Sequence, residues 1–139
     1  MKILFMCVAN SARSQLAEGL ARDIFPKSEI QSAGSNPGKL NPFATQVMKE
    51  IGIDISRQYS KSIDDLAPNF IVEINYVITL CAEEVCPIVV APKAEKLHWP
   101  FIDPVPQVAL TDEVLLRRFR EARDSIRSRL IQLKKEINL

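Results

Sequence analysis

The sequence predicts an α/β fold. One domain spans residues 1–139, with a four-stranded parallel sheet flanked by helices on both faces. Two observations predict it. Apolar, β-branched segments alternate along the chain with segments of helical period. Strands separated by helices need crossover connections, which run right-handed and cover both faces of a parallel sheet. At 139 residues the chain is also long enough to bury a sizeable core.

The elements follow in order. Lys2-Ile3-Leu4-Phe5-Met6 is an apolar run that stops at Cys7, a buried strand over 2–7. Ser14 to Phe25 reads as a helix with Leu16, Ala17, Leu20 and Ile24 on one face, and Pro26 follows its end. Glu29 to Ser32 is a short strand, and Ala33-Gly34 opens a loop rich in Gly, Ser, Asn and Pro. Asn41-Pro42 starts a second helix, with Pro at the first helical position. It runs to about Ile51, with Gly52 as its stop. Residues 53–70 have no strong period beyond a short helix at Ile63 to Leu66. Asn75 to Leu80, NYVITL, is a third buried strand, and like the first it ends at a cysteine, Cys81. Lys96 to Phe101, KLHWPF, is a weaker fourth strand. From Thr111 a long helix runs to about Ile137 with a stripe of Leu115, Phe119, Ala122, Ile126, Leu130, Leu133 and Ile137. Thr111 suits the N-cap, and Asp112 and Glu113 suit the positive end of the helix dipole.

Composition narrows the function. Apolar residues make up 47% and charged residues 25%, ordinary for a globular protein. A formal net charge of +1 is no footprint for nucleic acid or an acidic membrane. The basic residues from Arg117 to Lys135 alternate with Glu and apolar positions, as on a solvated helix face. No apolar run approaches the ~18–20 residues of a membrane span. The stretch from Ile3 to Ala9 is short for a signal peptide and leads into a helix start, not a cleavage region. Three cysteines is an odd number, which argues against a disulfide framework and for functional thiols in a reducing cytoplasm.

Ligands of such sheets bind at the carboxyl ends of the strands. There the sequence places Cys7-Val8-Ala9-Asn10-Ser11-Ala12-Arg13-Ser14, a C-x5-R-S stretch between a strand and a helix. Small residues let backbone N–H groups turn inward as an anion nest. The helix behind adds free N–H groups and its positive end. Arg13 supplies a planar fork for two oxygens of a tetrahedral oxyanion. Inside that positive ring Cys7 favours its thiolate, and Ser14 can donate a hydrogen bond to it. Residues Val8 to Ser14 are therefore the candidate oxyanion loop and Cys7 the candidate nucleophile. The bland alternative is a buried strand-end cysteine followed by a helix.

CVANSARSQLAEG resembles the loop of the low-molecular-weight phosphotyrosine phosphatase fold. It resembles more closely the arsenate reductases that use this fold and are usually coupled to thioredoxin, with their C-x-G-N-x-C-R-S-Q-M-A-E pattern. Gln15 stands where phosphatases of the fold usually have Pro. The resemblance continues through Ser32-Ala33-Gly34, Pro42 and Ala44, Gly52 to Ser56, Thr79-Leu80-Cys81, Cys86-Pro87 and His98-Trp99 to Asp103-Pro104. It implies reduction of arsenate to arsenite. Cys7 attacks arsenic, and Asp103, as general acid, protonates the departing oxygen. Cys81 then attacks Cys7, Cys86 attacks Cys81, and thioredoxin reduces the last disulfide. It also implies that Asn10 fixes the loop through side-chain hydrogen bonds. Glu18 reads as a local helix–loop contact and His98 as packed beside Trp99.

Read as residues alone, Cys81 and Cys86 leave three readings: a metal pair, a redox pair or two buried structural thiols. As a metal pair they lack partners, with Cys7 and the single His98 as the other soft ligands. If residues 81–86 were helical, the two Cα atoms would lie roughly 8–9 Å apart. A disulfide tolerates about 7 Å, so the segment must unwind to form one. Asp103-Pro104 also fits a simple turn start.

The chain departs from the family pattern at Ala9, which replaces the loop Gly, and at Ala12, which replaces a second loop cysteine. The 81–86 spacing is short for thioredoxin-coupled relatives. Lys61 stands where many relatives have an acidic residue, so no bound alkali cation is expected, and neither is a cofactor or a metal. Two other functions fit in outline. One is a phosphatase for phosphotyrosine or small phosphoesters, which needs Cys7, Arg13 and Asp103 alone. The other is a non-catalytic thiol or oxyanion sensor. The expected state is a monomer, with no nucleic-acid or membrane partner.

Overall fold

The computed structural model describes residues 1–82 and 88–138. Within them the elements are β1 (Lys2–Cys7), α1 (Arg13–Ile24), β2 (Glu29–Gly34), α2 (Pro42–Lys49), a 3-10 turn (Ile63–Asp65), α3 (Pro68–Glu73), β3 (Tyr76–Thr79), β4 (Glu95–His98) and α4 (Asp112–Glu136). The strands pair in the order β2-β1-β3-β4, every pairing parallel. The predicted four-stranded parallel sheet is the one observed.

β1 lies mid-sheet with helices over both faces, so Ile3 to Met6 are each 0% exposed. Their period of two sends them to opposite sides. Ile3 and Phe5 join the core built with Leu16 and Leu20 of α1, Val47 of α2 and Phe119, Ile126 and Leu130 of α4. Leu4 and Met6 meet Leu66, Phe70 and Ile74 on the α3 side. Helices thus cover both faces.

The ends of the elements are set by local chemistry. Asn41 caps α2, its Oδ1 accepting from Phe43 N–H at 2.8 Å, with Pro42 next. Past α2, Gly52 turns the chain at φ +79°, donating its N–H to Lys49 O at 3.0 Å. Thr111 caps α4 by accepting from Val114 N–H at 3.3 Å. Glu50, just after α2, binds Arg120 and Arg123 of α4 at 2.7 and 2.9 Å and clasps the two helices together.

Two strand boundaries and one helix stand out against the sequence reading. β2 continues through Ala33 and Gly34, because both keep pairing, with Met6 and Cys7. β4 runs over Glu95–His98 and not to Phe101, because the register slips: Trp99 N–H still donates to Thr79 O at 2.8 Å, but Phe101 N–H donates to Leu80 O at 3.2 Å, one residue short of the ladder. Helix α3 has no counterpart in the sequence reading.

Candidate active site

Cys7 ends β1, and its thiol is buried at 3% exposure. The next residues wrap around it before α1 begins at Arg13. The carbonyls of this loop all find donors outside it. Val8 O accepts from Asn36 N–H at 3.0 Å, Ala9 O from Gly38 N–H at 2.9 Å and Ser11 O from Asn41 N–H at 2.9 Å. Asn10 O accepts from Gln15 Nε2 at 3.0 Å and Ser60 Oγ at 2.6 Å. Ala12 O accepts from Leu16 N–H at 2.9 Å, the first turn of α1. Among the described residues no cis peptide bond occurs, and a planar trans peptide points its N–H opposite its C=O. The amides of residues 9 to 13 therefore face the inner side of the loop. Ala12, the N-cap residue of α1, has no capping side chain, so the helix presents its own free N–H groups there too.

Gly34 permits this arrangement. It faces the loop so closely that a Cβ would overlap Val8 O and press on Cys7 O at 3.0 Å.

Side-chain hydrogen bonds lead from Lys61 through Asn10 to the surroundings of Cys7. Lys61 N–H, which can only donate, reaches Asn10 Oδ1 at 3.0 Å. The other end of that amide, Nδ2, then donates to Ser14 Oγ at 2.7 Å and Ser32 Oγ at 3.0 Å. Ser14 Oγ accepts there and lies 2.8 Å from Cys7 Sγ; toward the thiolate, which has no proton to give, the hydroxyl is the donor. Ser32 passes its own proton to Glu18 Oε1 at 2.6 Å. A sulfur that receives a hydrogen bond is suited to carry negative charge. Asn10 holds φ +50°, a left-handed conformation that Asn tolerates better than most residues.

Arg13 is 5% exposed. Its Nη1 donates to Phe101 O at 3.0 Å and Leu80 O at 3.3 Å, which anchors the guanidinium across the ends of β3 and the segment after β4. Its Nη2 lies 3.6 Å from Asp103 Oδ2. Asp103 also makes the turn contact expected of an Asp-Pro start, Oδ1 accepting from Val105 N–H at 3.0 Å. Arg118 of α4 holds that turn, donating to Pro104 O at 3.0 Å and Asp103 O at 3.1 Å. Arg13, Ile102, Asp103, Val105 and Arg118 line one cleft of about 490 Å³.

Cys7 is the free thiol among the described residues, and Cys81 is disulfide-bonded, so its bond is not to Cys7. Cys81 and Ala82 are not helical. Cys86 lies outside the described residues. Among the described residues no cluster of three or more His, Cys, Asp or Glu could hold a metal, and no helix is long and apolar enough to cross a membrane.

A family model described as low molecular weight phosphotyrosine protein phosphatase matches residues 2–139. The chain belongs to that family. Among its relatives, an arsenate reductase of Halalkalibacterium halodurans is 41% identical, the match covering 92% of this chain and 91% of the relative. An arsenate reductase of Bacillus subtilis is also 41% identical with the same coverage. A solved arsenate reductase in its phosphate-binding state superposes with a TM-score of 0.77 at 31% identity, over 98% of each chain. A thioredoxin-dependent arsenate reductase of Corynebacterium glutamicum matches with a TM-score of 0.72 at 29% identity, over 99% of this chain and 61% of the other.

Within this phosphatase-family site the structure brings together Cys7, Val8 to Ser14, Arg13 and Asp103, all singled out in the sequence. Glu18 lies deeper than a local contact: besides Ser32 it meets Arg22 at 3.0 Å and the buried Lys61 ammonium at 3.5 Å. His98 lines a cleft with Trp99. It is exposed and bonded through Nδ1 to Thr79 Oγ1 at 2.7 Å, while Arg129 lies over the buried Trp99 ring. Sequence reasoning passed over Ser60, Gln58 and Arg118. Their partners are backbone atoms or distant side chains, and no periodicity marks such contacts.

Proposed function

We propose that this chain reduces arsenate to arsenite by a thiol relay from Cys7 to Cys81 to Cys86, with thioredoxin re-reducing the final disulfide. The carrying observation is the sheet register. β1 and β3 are neighbours, Met6 pairs with Thr79, and Leu80 N–H donates to Met6 O at 3.0 Å. Cys81 therefore follows the residue that lies alongside Cys7. Adjacent strands are about 4.8 Å apart and residues about 3.3 Å apart along a strand, so the two Cα atoms are about 6 Å apart. A disulfide can span that Cα separation once Cys81, which the pleat turns to the opposite face, swings toward Cys7 beyond the strand end. The arsenate reductases among the relatives support the same reading.

The steps follow from the geometry. The inward amides of the Val8–Ser14 loop and the Arg13 fork hold the arsenate oxygens. The Cys7 thiolate attacks arsenic, Asp103 gives a proton to the departing oxygen, and water leaves. The Cys81 thiolate attacks Cys7 Sγ. A sulfur–sulfur bond forms, the sulfur–arsenic bond breaks and its electron pair stays on arsenic, which falls from +5 to +3 and leaves as arsenite. The Cys86 thiolate attacks Cys81 and releases the Cys7 thiolate. The thioredoxin dithiol returns both electrons to the Cys81–Cys86 bond. The chain works as a monomer in a reducing cytoplasm. A second reading rests on the same loop, which also suits a phosphoester: slow phosphatase activity through Cys7, Arg13 and Asp103.

The test is arsenate-dependent NADPH oxidation with thioredoxin and thioredoxin reductase. Wild type turns over, and Cys7→Ser, Cys81→Ser and Cys86→Ser each stop it. Sustained turnover by Cys86→Ser would remove Cys86 from the relay. A wild type that cleaves p-nitrophenyl phosphate but not arsenate would favour the second reading.

A further inference from the structure

Gln15 is fully buried in the first turn of α1, and no step of the proposed relay uses it. Its amide nevertheless joins three parts of the chain. Nε2 donates to Asn10 O at 3.0 Å, Asn10 Oδ1 at 3.2 Å and Tyr59 O at 3.0 Å. Oε1 accepts from Gln58 Nε2 at 2.8 Å, and Gln58 also donates to Gln15 O at 3.1 Å. Gln15 and Ser60 are the two donors that hold the Asn10 carbonyl outward. The Ser11 N–H belongs to the same peptide plane, so it is held inward by the same bonds.

We infer that Gln15, tied to Gln58, is a positioning residue that keeps Asn10 left-handed and so pre-sets the inward amide ring for an oxyanion. The inference rests on the reading of Val8 to Ser14 as an oxyanion loop. Volume alone does not explain a buried amide here: Met would fill the same space without its bonds. Without the Gln15 amide, Tyr59 O loses its donor, and the 58–61 segment keeps only its bonds from Gln58 to the Gln15 carbonyl and from Lys61 to Glu18 as ties to α1. The loop then samples conformations with the Ser11 amide turned away. Apparent affinity falls in proportion to the fraction of time the loop is competent.

The experiment is calorimetric titration of the reduced protein with inorganic phosphate, which binds without turnover, on wild type, Gln15→Met, Gln15→Glu and Gln58→Met. Circular dichroism and thermal unfolding check that each is folded. The Kd for phosphate should rise about tenfold in Gln15→Met, which keeps the volume. Gln15→Glu keeps the acceptor for Gln58 but has no donor for Asn10, and should weaken binding at least as much. Gln58→Met perturbs only the outer end of the strap. It should raise the Kd about threefold and stands in if the Gln15 variants do not fold. A folded Gln15→Met with wild-type affinity overturns the inference, because a space-filling role predicts that result. Absence of phosphate binding by wild type removes the oxyanion loop itself, and the strap with it.

Discussion

Replacing Gly34 by Ala adds one methyl group where β2 meets the loop after β1. Gly34 has no unusual backbone angle to protect, so the effect comes from space alone. The new Cβ would overlap Val8 O and lie 3.0 Å from Cys7 O and from the Val8 carbonyl carbon. All three are backbone atoms of the ladder and the loop, and none can swing aside as the tip of a side chain could. Relief requires the Val8 carbonyl to move, which loosens its bond from Asn36 N–H, 3.0 Å in the structure. Overpacking costs about 1–3 kcal/mol, and the weakened hydrogen bond about 0.5–1.5 kcal/mol. The expected destabilisation is therefore about 2–4 kcal/mol. With a urea slope of about 2 kcal/mol/M, the unfolding midpoint should fall by about 1–2 M. The same displacement turns the Ala9 N–H, which shares its peptide plane with Val8 O. Losing one such donor lowers turnover by about a hundredfold or more. Urea unfolding and arsenate turnover measure the two effects on one preparation. An unchanged midpoint with unchanged turnover would refute the claim that Gly34 shapes the loop by its lack of a side chain.

Other perturbations test other parts. Ser14→Ala removes the donor to Cys7 Sγ; a hydrogen bond to a charged atom is worth about 1.5–3 kcal/mol, so alkylation of Cys7 by iodoacetamide should slow by about 10–100-fold, with phosphate Kd nearly unchanged. Arg118→Ala frees the Asp103-Pro104 turn and should lower turnover by about tenfold at unchanged phosphate affinity; loss of phosphate affinity instead would place Arg118 on the anion. Arg120 holds the Glu50 carboxyl below its ordinary value of 4.5, against the cost of burial and with help from Arg123. A lowered folded value means that the α2–α4 clasp stabilises the protein above that ordinary value and is lost as pH falls through the folded one. Glu50→Gln should therefore be less stable at neutral pH, with a shallower loss of stability in acid, measured by urea unfolding from pH 7 to pH 3.

Much of this fold is legible in the sequence because burial imposes period. β1 is sealed on both faces and reads as an unbroken apolar run. α4 packs one stripe on the sheet, so Phe119, Ile126, Leu130 and Leu133 recur by threes and fours and are buried. Helix α3 is different: it has six residues and buries only Phe70, too few turns for a period to appear. The weaker fourth strand is also an edge strand, with Leu97 as the most enclosed of its mostly exposed residues, and its register slips past Trp99. In the site, Cys7, Arg13 and Ser14 are recognisable because one local loop has to hold all three. The rest of the support is not local. Asn10 depends on residues 59 to 61, some fifty positions on in the chain, and Arg118 reaches Asp103 from another helix. Polar contacts between distant segments leave no spacing to read. Nor does the sequence reveal that one backbone N–H, that of Lys61, orients the Asn10 amide beside Ser14.

The most direct test of the relay is to stop it midway. Cys86→Ser protein, fully reduced, is mixed with one equivalent of arsenate without thioredoxin. It is then quenched with acid, digested and read by mass spectrometry. The relay predicts one equivalent of arsenite and a peptide pair joined through Cys7 and Cys81. Arsenite released with Cys81 still a free thiol would contradict it.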